Sequence, residues 1–580
     1  MILVFGGTTE GRKAVEVLEE GGSPYFYSTK TGEQDLTLHH GQRIDGALDA
    51  DTMQTFCREN DIRLMVDAAH PFAVQLHQTI AEVSDALKIP AIRYERIFPE
   101  RDASLEWLDS YDQVPHDIKT LLATTGVQSI SKLKPLEAAG IKVYYRILNR
   151  ESSIALAQKQ GATMEQLCYF EDPKDVPVEA DAILLKESGL SGGFQEKVDA
   201  AKARGMRILV LKRPVTPAAF RTVNGPYGLR RAVEKLLPAF YPLHSGLTTG
   251  TCATAAAIAA TIRLLKNKTP EEVPVLLPDG ETIPVAVGYG EGYAYCIKDA
   301  GDDPDVTNGL EIRASVKQTV TFEILGGEGV GTFILPGFDY PPGSPAINKA
   351  PREMIRQNLT AITDDPLSIT ISVPEGEAIA KRTFNPRLGI EGGISIIGVS
   401  GIVKPFSEEA FIDSIRKCMT VAQASGTNRV VINSGGKSER FVKALYPTLP
   451  RQAFVEYGNY IGETLKIAHE LDIQEVTLGV MLGKAVKLAA GHLDTHSRKA
   501  TMDKAFISEI LEEAGIHIDI STLTLARELW EIIPEQQIQN FASTIIRHCE
   551  SYCKPLLPNG TLTILLISDE GQIYGTRQLQ

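Results

Sequence analysis

The stretch that decides how this chain is organised is His244–Ala257, HSGLTTGTCATAAA. It follows a proline-punctuated connector at 236–242 and opens an alanine-rich run that continues to Leu265. This pattern predicts a helix whose first N–H groups, which have no partner within the helix, face a threonine- and glycine-rich loop. A helix start of this kind favours anions, although threonine capping of a buried helix accounts for the same residues. Its position favours a binding role, because one α/β region ends just before it and a second region begins with it.

Length and composition limit the classes of protein. A chain of 580 residues is too long for one core, which predicts at least two domains, 1–239 and 244–580. The start, MILVFGG, reads as a strand and not as a signal peptide, and no apolar run has membrane-spanning length. Seven cysteines, an odd number, indicate reduced thiols and a cytoplasmic protein. The net charge of −14 disfavours nucleic acid as a partner.

The first domain opens with a strand–turn–helix pattern. Ile2–Phe5 is a buried-strand run, and GGTTEGR (6–12) precedes an amphipathic segment. This is either a dinucleotide-binding turn or a plain βα turn, because Thr8 stands where the motif has a glycine. The next strand, 24–27, is followed by Ser28, Thr29 and Lys30 with no carboxylate for a ribose. That favours NADPH over NADH without deciding between them.

Polar residues follow several other strand-like runs of this domain. In open α/β sheets ligands collect at the carboxyl ends of the strands, so these residues are candidates for one site. They are His70, Lys186, Ser188, Lys212 and Arg213. For His70 a structural hydrogen bond is an equal alternative, and the last two are alternatively a solvated edge.

Five motifs of this domain occur in the order of a known family. They are GGTTEGR (6–12), DAAHPFA (67–73), IRYER (92–96), LKESGLSGGF (185–194) and LKRP (211–214). Together they resemble the precorrin-6A reductase family of cobalamin biosynthesis. The resemblance implies two Rossmann-like, doubly wound halves with a tetrapyrrole between them. For the proton that accompanies the hydride, our own candidates are His70 and Tyr94. The resemblance places nicotinamide at the first glycine loop, where we expect Gly6, Gly7, Thr8, Thr9, Glu10, Gly11 and Arg12 as cofactor contacts. The residues after the second strand add Lys30 to these contacts. The chain departs from the family at 167–173, where relatives have a Gly-Pro-Phe turn.

The second domain contains an acidic loop and a basic run. The loop, 298–309, lacks the glycine and glutamate positions of an EF-hand, which leaves a solvated turn or carboxylates for a hydroxylated or cationic ligand. The basic run, 381–387, continues into a glycine-rich apolar stretch, which suits a flat ligand with acidic side arms. The segment 475–484 misses the spacing of a Walker P-loop, and 492–496 lacks the zincin glutamate, so no protein-bound metal is predicted.

Longer motifs of this domain also occur in family order. They are TTGTCA (248–253), DAGDDPDVTNG (299–309), PREMI (351–355), KRTFNPRLGIEGGISIIG (381–398) and GKAVKLAAGHLDTHS (483–497). They resemble the cobalt-precorrin-5B (carbon-1) methyltransferase family, which implies S-adenosylmethionine as the methyl donor and a distinct α+β domain. For the macrocycle we expect Thr248, Thr249, Thr251, Lys381, Arg382, Asn385 and Arg387. For the methyl donor we expect Asp299, Asp302, Asp303, Gly479 and Gly483, with Lys484, Lys487 and His496 completing the site.

The two resemblances together predict one bifunctional enzyme that methylates cobalt-precorrin-5B and reduces (cobalt-)precorrin-6A. One alternative is a non-catalytic carrier of cobalt tetrapyrroles. Another is a methyltransferase fused to an unrelated NAD(P)H reductase, although the Tyr-x-x-x-Lys pair of short-chain reductases is absent. The oligomeric state, a homo-oligomer included, is left open.

Overall fold

The structure is a computed structural model that describes residues 1–30, 36–172, 174–497 and 499–575. Its contacts divide the chain into two compact units. Unit 1 comprises Met1–Ser245 and Pro274–Pro284, and unit 2 comprises Gly246–Val273 and Val285–Gln580. Among the described residues, none of the helices has both the length and the apolar character that crossing a membrane requires.

Unit 1 alternates strands and helices along most of its length. Its strands are β1 Ile2–Phe5, β2 Tyr25–Thr29, β3 Gly41–Asp45, β4 Leu64–Asp67, β5 Ala91–Tyr94, β6 Glu106–Leu108, β7 Thr120–Ala123, β8 Lys142–Ile147, β9 Leu167–Tyr169, β10 Ala182–Lys186, β11 Arg207–Leu211 and β12 Phe220–Val223. Its helices are α1 Thr9–Glu19, α2 Ala50–Glu59, α3 Val74–Leu87, α4 Ile130–Ala138, α5 Glu151–Lys159, α6 Phe194–Lys202 and α7 Pro226–Leu236.

The strands of unit 1 form two six-stranded sheets. Their orders are β12-β5-β4-β1-β2-β3 and β6-β11-β10-β7-β8-β9. The strand pairs within both sheets are parallel. In β1, Ile2 and Val4 pack into one apolar cluster while Leu3 and Phe5 pack into another, so the sheet is covered on both faces. The predicted parallel α/β architecture of the amino-terminal region is confirmed.

The chain passes between these sheets twice. After β5 it adds β6 to the edge of the second sheet, and after β11 it returns to add β12 beside β5. The second sheet is therefore built from the consecutive strands β6–β11, whereas the first sheet, β1–β5, is completed by β12 after the chain has left it.

A short hairpin segment, Pro274–Pro284, also belongs to unit 1. The carboxylate of Glu281, which is 1% exposed, accepts a hydrogen bond from Tyr227 N at 3.0 Å and another from Gly228 N. These N–H groups lie in the first turn of α7, where no intrahelical acceptor exists, so Glu281 acts as a helix cap from a distant part of the chain.

Unit 2 contains the remaining elements; β14 and β15 cross the division between the units. The strands are β13 Gly246–Leu247, β14 Glu272–Leu276, β15 Thr282–Ala286, β16 Gly288–Gly290, β17 Tyr293–Ile297, β18 Glu311–Gln318, β19 Glu323–Gly326, β20 Thr332–Phe333, β21 Leu367–Ser372, β22 Ile390–Glu391, β23 Ile402–Val403, β24 Arg429–Asn433, β25 Phe454–Glu456, β26 Glu475–Met481, β27 Thr561–Ile567 and β28 Ile573–Gly575. The helices are α8 Thr249–Lys266, α9 Lys349–Thr360, α10 Gly376–Ala380, α11 Asn385–Leu388, α12 Glu408–Ala424, α13 Gly436–Leu445, α14 Ile461–Glu470, α15 Leu482–Ala489, α16 Lys504–Glu513, α17 Leu529–Ile532 and α18 Ile538–Cys553.

The first part of unit 2 is organised around α8. This helix is buried from Thr249 to Thr261, and it packs against β17, β18 and α9. Its alanines allow the helix to approach a sheet and a second helix closely. The sheet, β16-β17-β18-β21-β19, is mixed, since β19 and β21 are parallel and the other pairs are antiparallel.

The second part of unit 2 is built differently. Its sheet has the order β25-β24-β26-β27-β28, with parallel pairs except for the last. From β24 onward, strands and helices alternate as they do in a parallel α/β sheet. The α+β prediction therefore describes the mixed-sheet part but not this one.

Candidate functional site

The turn between β1 and α1 is held from one side and open on the other. Gly11 N donates to the Thr8 hydroxyl at 3.1 Å, and that hydroxyl donates to Ala68 O at 2.7 Å. Gly7 has a φ of +88°, and a Cβ added there would meet no atom within 4 Å. Gly6 lies directly against the ring of Tyr27, which leaves no room for a side chain. The turn thus presents exposed backbone, which suits close approach of a phosphate.

The predicted cofactor residues around this turn differ in exposure. Thr9, Arg12 and Lys30 are exposed, and Lys30 follows β2, the strand that pairs with β1. Glu10 is instead buried and forms an ion pair with Arg96, with Arg96 Nε 2.8 Å from Glu10 Oε2. Burial would raise the pKa of Glu10, but the hydrogen bond from Ser191 and the charge of Arg96 lower it. Its carboxylate is therefore engaged within the protein, which differs from the predicted cofactor contact.

Arg96 connects the loops that follow the two sheets of unit 1. Besides its pair with Glu10, its Nη1 donates to Ser188 O at 2.8 Å, and Ser188, 6% exposed, follows β10. The carboxyl ends of β1 and β10 are thereby linked through one guanidinium group. Arg96 was visible in the sequence only as the last residue of IRYER.

Other cationic groups lie near Arg96 at the carboxyl end of β10. Lys186 ends β10, and burial lowers its pKa to about 8. Lys197 donates to Gly192 O at 2.9 Å, and burial followed by the charge of Arg146 lowers its pKa to about 8. Neither Lys197 nor Arg146 was among the residues predicted from the sequence. A cluster of partly desolvated cations suits a ligand with several carboxylates.

His70 lies beside these cations. Its Nδ1 accepts a hydrogen bond from Phe72 N at 3.2 Å. Burial, and then the charges of Arg96 and Lys186, lower the pKa of His70 to about 3, so the imidazole is neutral at physiological pH. Any proton it supplied would come from a neutral N–H group.

Tyr94, the other predicted proton donor, is not brought to this place. It is 2% exposed inside an apolar cluster of the first sheet, and burial raises its pKa. Lys212 and Arg213 lie at the end of β11, but each has a carboxylate partner. Lys212 Nζ is 2.8 Å from Asp109, and Arg213 Nη1 is 2.7 Å from Glu187.

In unit 2 the threonines predicted to bind the macrocycle form hydrogen bonds within the protein. The Thr248 hydroxyl accepts from Thr251 N at 3.2 Å, and the Thr251 hydroxyl donates to Gly401 O at 2.6 Å. The Thr249 hydroxyl accepts from Ile397 N at 2.9 Å. All three threonines are buried. Their hydroxyls join the start of α8 to the segment around 397–401, and their contact with the macrocycle stays a prediction.

The acidic loop is similarly engaged. Asp299 accepts from Gly301 N at 2.9 Å, and Asp303 accepts from Phe406 N at 3.0 Å. Asp302 is exposed. Buried Lys298 pairs with Asp305 at 3.1 Å, which anchors the loop. These contacts describe a hydrogen-bonded turn in which the carboxylates of Asp299 and Asp303 already accept backbone hydrogen bonds.

The two glycines predicted to hold the methyl donor have different environments. Gly479 lies within β26, where a Cβ would meet Val442 Cγ1 at 2.6 Å. The absence of a side chain allows close packing between β26 and α13, and the contact of Gly479 with the methyl donor stays a prediction. Gly483, in the first turn of α15, is exposed, and a Cβ there would meet no atom within 4 Å.

The predicted cations of unit 2 divide into separate groups. Lys381 and Arg382 are exposed, whereas Asn385 is buried, donating to Gly393 O at 3.1 Å and accepting from Ser395 Oγ at 3.1 Å. Lys487 Nζ donates to Thr495 O at 3.2 Å. His496 N donates to Asp494 at 3.0 Å.

Arg387 and Lys484 belong to one charged cluster at the carboxyl ends of β25 and β26. Arg387 Nη2 lies 2.8 Å from Glu439, and its Nη1 lies 3.6 Å from Glu456. Lys484 donates to Gly458 O, and burial lowers its pKa to about 8. Burial raises the pKa of Glu456, which Arg387 partly offsets. The two acidic members, Glu439 and Glu456, were not predicted.

A surface cavity of about 410 Å³ lies at the opposite end of the same sheet, where the strands begin. It is lined by residues at the starts of β24 and β26, among them Arg429 and Glu475. Arg387 and Lys484 do not line it.

Comparison with known proteins identifies the second region. A cobalt-precorrin-5B C(1)-methyltransferase of Prosthecochloris aestuarii is 41% identical over 346 residues, which is 56% of this chain and 94% of the relative. The chain belongs to this methyltransferase family. The corresponding enzyme of Thermus thermophilus is 41% identical over 311 residues, 52% of this chain and 85% of the relative. The family models CbiD and CbiD, C-terminal domain, match residues 239–405 and 494–578.

The amino-terminal region of this chain matches a different family model. The family model "Precorrin-6x reductase CbiJ/CobK" matches residues 1–227. Among solved structures, CobK precorrin-6A reductase is 16% identical with a TM-score of 0.33, covering 41% of this chain and 96% of that one. CbiD of Archaeoglobus fulgidus is 30% identical with a TM-score of 0.27, covering 48% and 86%. At these TM-scores neither superposition bears on the fold. The chain thus joins a region of the cobalt-precorrin-5B methyltransferase family to a region that matches the precorrin-6x reductase family model.

Proposed function

We propose that the chain methylates carbon 1 of cobalt-precorrin-5B with S-adenosylmethionine and reduces (cobalt-)precorrin-6A with NADPH or NADH. We assign the reduction to residues 1–239 and the methylation to residues 244–580. The observation that carries the proposal is the 41% identity along 94% of a cobalt-precorrin-5B C(1)-methyltransferase. The match of residues 1–227 to the precorrin-6x reductase model supports the second activity.

In the reductase half, the turn at Gly6–Arg12 is suited to the cofactor pyrophosphate. The open space above Gly7 admits a phosphate, and exposed Arg12 and Lys30 add positive charge beside it. The nicotinamide cofactor supplies the hydride for the ring double bond. Glu10 keeps Arg96 in place and takes no part in holding the cofactor.

The tetrapyrrole of this reaction is fringed with acetate and propionate groups. Lys186 and Lys197 provide charges that are partly removed from water, where an ion pair with a carboxylate is stronger than at an exposed surface. Ser188 and Arg213 follow the adjacent strands β10 and β11, which places both residues at the same ends of the strands as Lys186. His70 would orient the ring or donate a neutral N–H hydrogen bond to it.

In the methyltransferase half, the reaction is a displacement in which alignment and exclusion of water dominate. S-adenosylmethionine supplies the methyl group. Arg387 and Lys484 would steer the carboxylates of the macrocycle, with the exposed Lys381 and Arg382 nearby in sequence. The buried threonines and Asn385 keep the surrounding loops in shape.

The test uses the purified full chain and both substrates. Cobalt-precorrin-5B with methyl-labelled S-adenosylmethionine is expected to give a labelled macrocycle, and cobalt-precorrin-6A is expected to oxidise NADPH or NADH. Binding of either substrate without label transfer or cofactor oxidation would establish the carrier alternative instead. Methylation without reduction of precorrin-6A would favour fusion to an unrelated reductase.

A further inference from the structure

The parallel sheet of unit 2 has a topological switch between β24 and β26. Val431 of β24 packs with Val442 of α13 on one face, whereas Ile432 packs in the cluster that contains Ala485 of α15 on the other face. The loops that follow these two adjacent strands therefore leave toward opposite faces. In open α/β sheets such a switch opens a crevice at the carboxyl ends of the strands, where ligands bind.

The carboxylate of Glu456 lies beside this switch. Glu456 ends β25 and is the register partner of Asn433, which ends β24. It lies over the turn after β24 so closely that a Cβ on Gly435, whose φ is +83°, would overlap its carboxylate. The side chain of Glu456 is 27% exposed, so it can be reached from solvent.

The turn beneath Glu456 has a fixed conformation. Gly435 N donates to the buried Asn433 side chain at 2.8 Å, and Ser434 N donates to Ser438 Oγ at 3.1 Å. Arg387 binds Glu439 closely, at 2.8 Å, but lies 3.6 Å from Glu456. The ion pair of Arg387 with Glu456 is therefore weaker than its pair with Glu439, and the carboxylate of Glu456 can still accept hydrogen bonds.

We propose that Glu456 accepts hydrogen bonds from the ribose hydroxyls of the methyl donor, bound in the crevice between β24 and β26. An ionised carboxylate is acceptor-only and can take both hydroxyls of a vicinal diol. Gly483, exposed at the end of β26, leaves the other wall of the crevice open. The inference rests on the proposed use of S-adenosylmethionine, and it replaces the acidic loop at Asp299–Asp303 as the place where the donor binds.

The test is calorimetric binding of S-adenosylhomocysteine and its 2′-deoxy analogue to the full chain. Glu456→Gln is expected to weaken S-adenosylhomocysteine binding by about tenfold to a hundredfold, the range for a lost hydrogen bond to a charged group. It should weaken binding of the 2′-deoxy analogue much less, because one of the hydroxyls is already absent. Glu456→Asp keeps the charge but shortens the side chain, and it should lose affinity in the same selective way.

The matched control is Glu475→Gln, the same change at the opposite end of the same sheet, where β26 begins beside the 410 Å³ cavity. It should leave S-adenosylhomocysteine affinity unchanged. The inference is overturned if Glu456→Gln binds as the wild type does, or if Asp303→Asn or Glu475→Gln is the variant that loses affinity. In either case the wild type would still transfer labelled methyl groups. A wild type that neither binds S-adenosylhomocysteine nor transfers label overturns the proposed function as well.

Discussion

The ammonium group of Lys186 lies 4.9 Å from the centre of the Phe72 ring, at the end of a buried strand. Its surroundings disfavour the charged form, which is why its pKa falls to about 8, like that of Lys197. Both groups are charged at neutral pH and become neutral as the pH rises through 8. A polycarboxylate ligand would lose two ionic partners over that interval.

We therefore expect the KM for cobalt-precorrin-6A to rise several-fold between about pH 7 and about pH 9. Lys186→Arg should reduce this rise, because a guanidinium group stays protonated throughout. Steady-state reduction across this range, with the nicotinamide KM measured in parallel, checks the prediction. A KM that is equally pH-dependent in the wild type and in Lys186→Arg would contradict it.

The residues of the reductase site show what the sequence could reveal. The glycine turn was predictable, because its spacing directly expresses a backbone requirement at Gly7. The ion pair of Glu10 was not predictable, because its partner Arg96 lies 86 residues away and only folding brings the two residues together. The same limit hid Glu456, whose importance comes from its register with Asn433 and not from any local pattern.

At the scale of elements, the packing of β26 against α13 depends on a missing side chain. Gly479→Ala would place a Cβ 2.6 Å from Val442 Cγ1, and overpacking of this kind costs about 1–3 kcal/mol. Gly483→Ala is the matched control, because it fills open space in a helix and should be neutral or stabilising by up to about 1 kcal/mol. Urea unfolding followed by Trp530 fluorescence, in a Trp107→Phe background, separates the two outcomes. Equal stability of the two variants would exclude a packing role for Gly479.

The capping of α7 by Glu281 predicts a pH-dependent stability for unit 1. Burial raises the pKa of Glu281 from 4.5 to about 7, so the folded state holds a proton that the unfolded state has released. The stability from this proton is present below about pH 4.5 and is lost as the pH rises through 7. Its full size is about 3 kcal/mol.

Glu281→Gln, which resembles the protonated carboxyl group, should abolish that loss. Urea unfolding at about pH 5 and about pH 8, followed by Trp107 fluorescence in a Trp530→Phe background, measures it. If the wild type and Glu281→Gln lose stability equally over this interval, another group is responsible.

Element prediction succeeded where the local pattern was strong. Alternation of apolar runs and glycine turns predicted the parallel strands of unit 1, and the alanine-rich run predicted α8. The return of β12 to the first sheet could not be foreseen, because β12 is a short strand at a sheet edge and its pairing with β5 depends on long-range packing. The parallel sheet that contains β24 was not predicted for a related reason, because β24, β25 and β26 are separated in sequence and only folding pairs them.

For the whole molecule, the separation into two units predicts that the two activities can be removed independently. Gly7→Asp should abolish reduction, because a φ of +88° strains any side chain and a carboxylate there repels a phosphate. Methylation of cobalt-precorrin-5B should remain within about twofold of the wild type, since the change lies in unit 1 and the transfer is assigned to unit 2. Both activities measured on one preparation provide the check, and parallel loss of the two would contradict the assignment.

Unit 1 takes its last residues from 274–284, well beyond the helix that Glu281 caps. A nascent chain therefore emerges with the first turn of α7 uncapped, and it must wait for some fifty further residues before the carboxylate arrives. Because the chain is translated in order, residues 274–284 complete unit 1 only after the first residues of unit 2 have been made. A gene split at the apparent boundary would separate that helix from its acceptor.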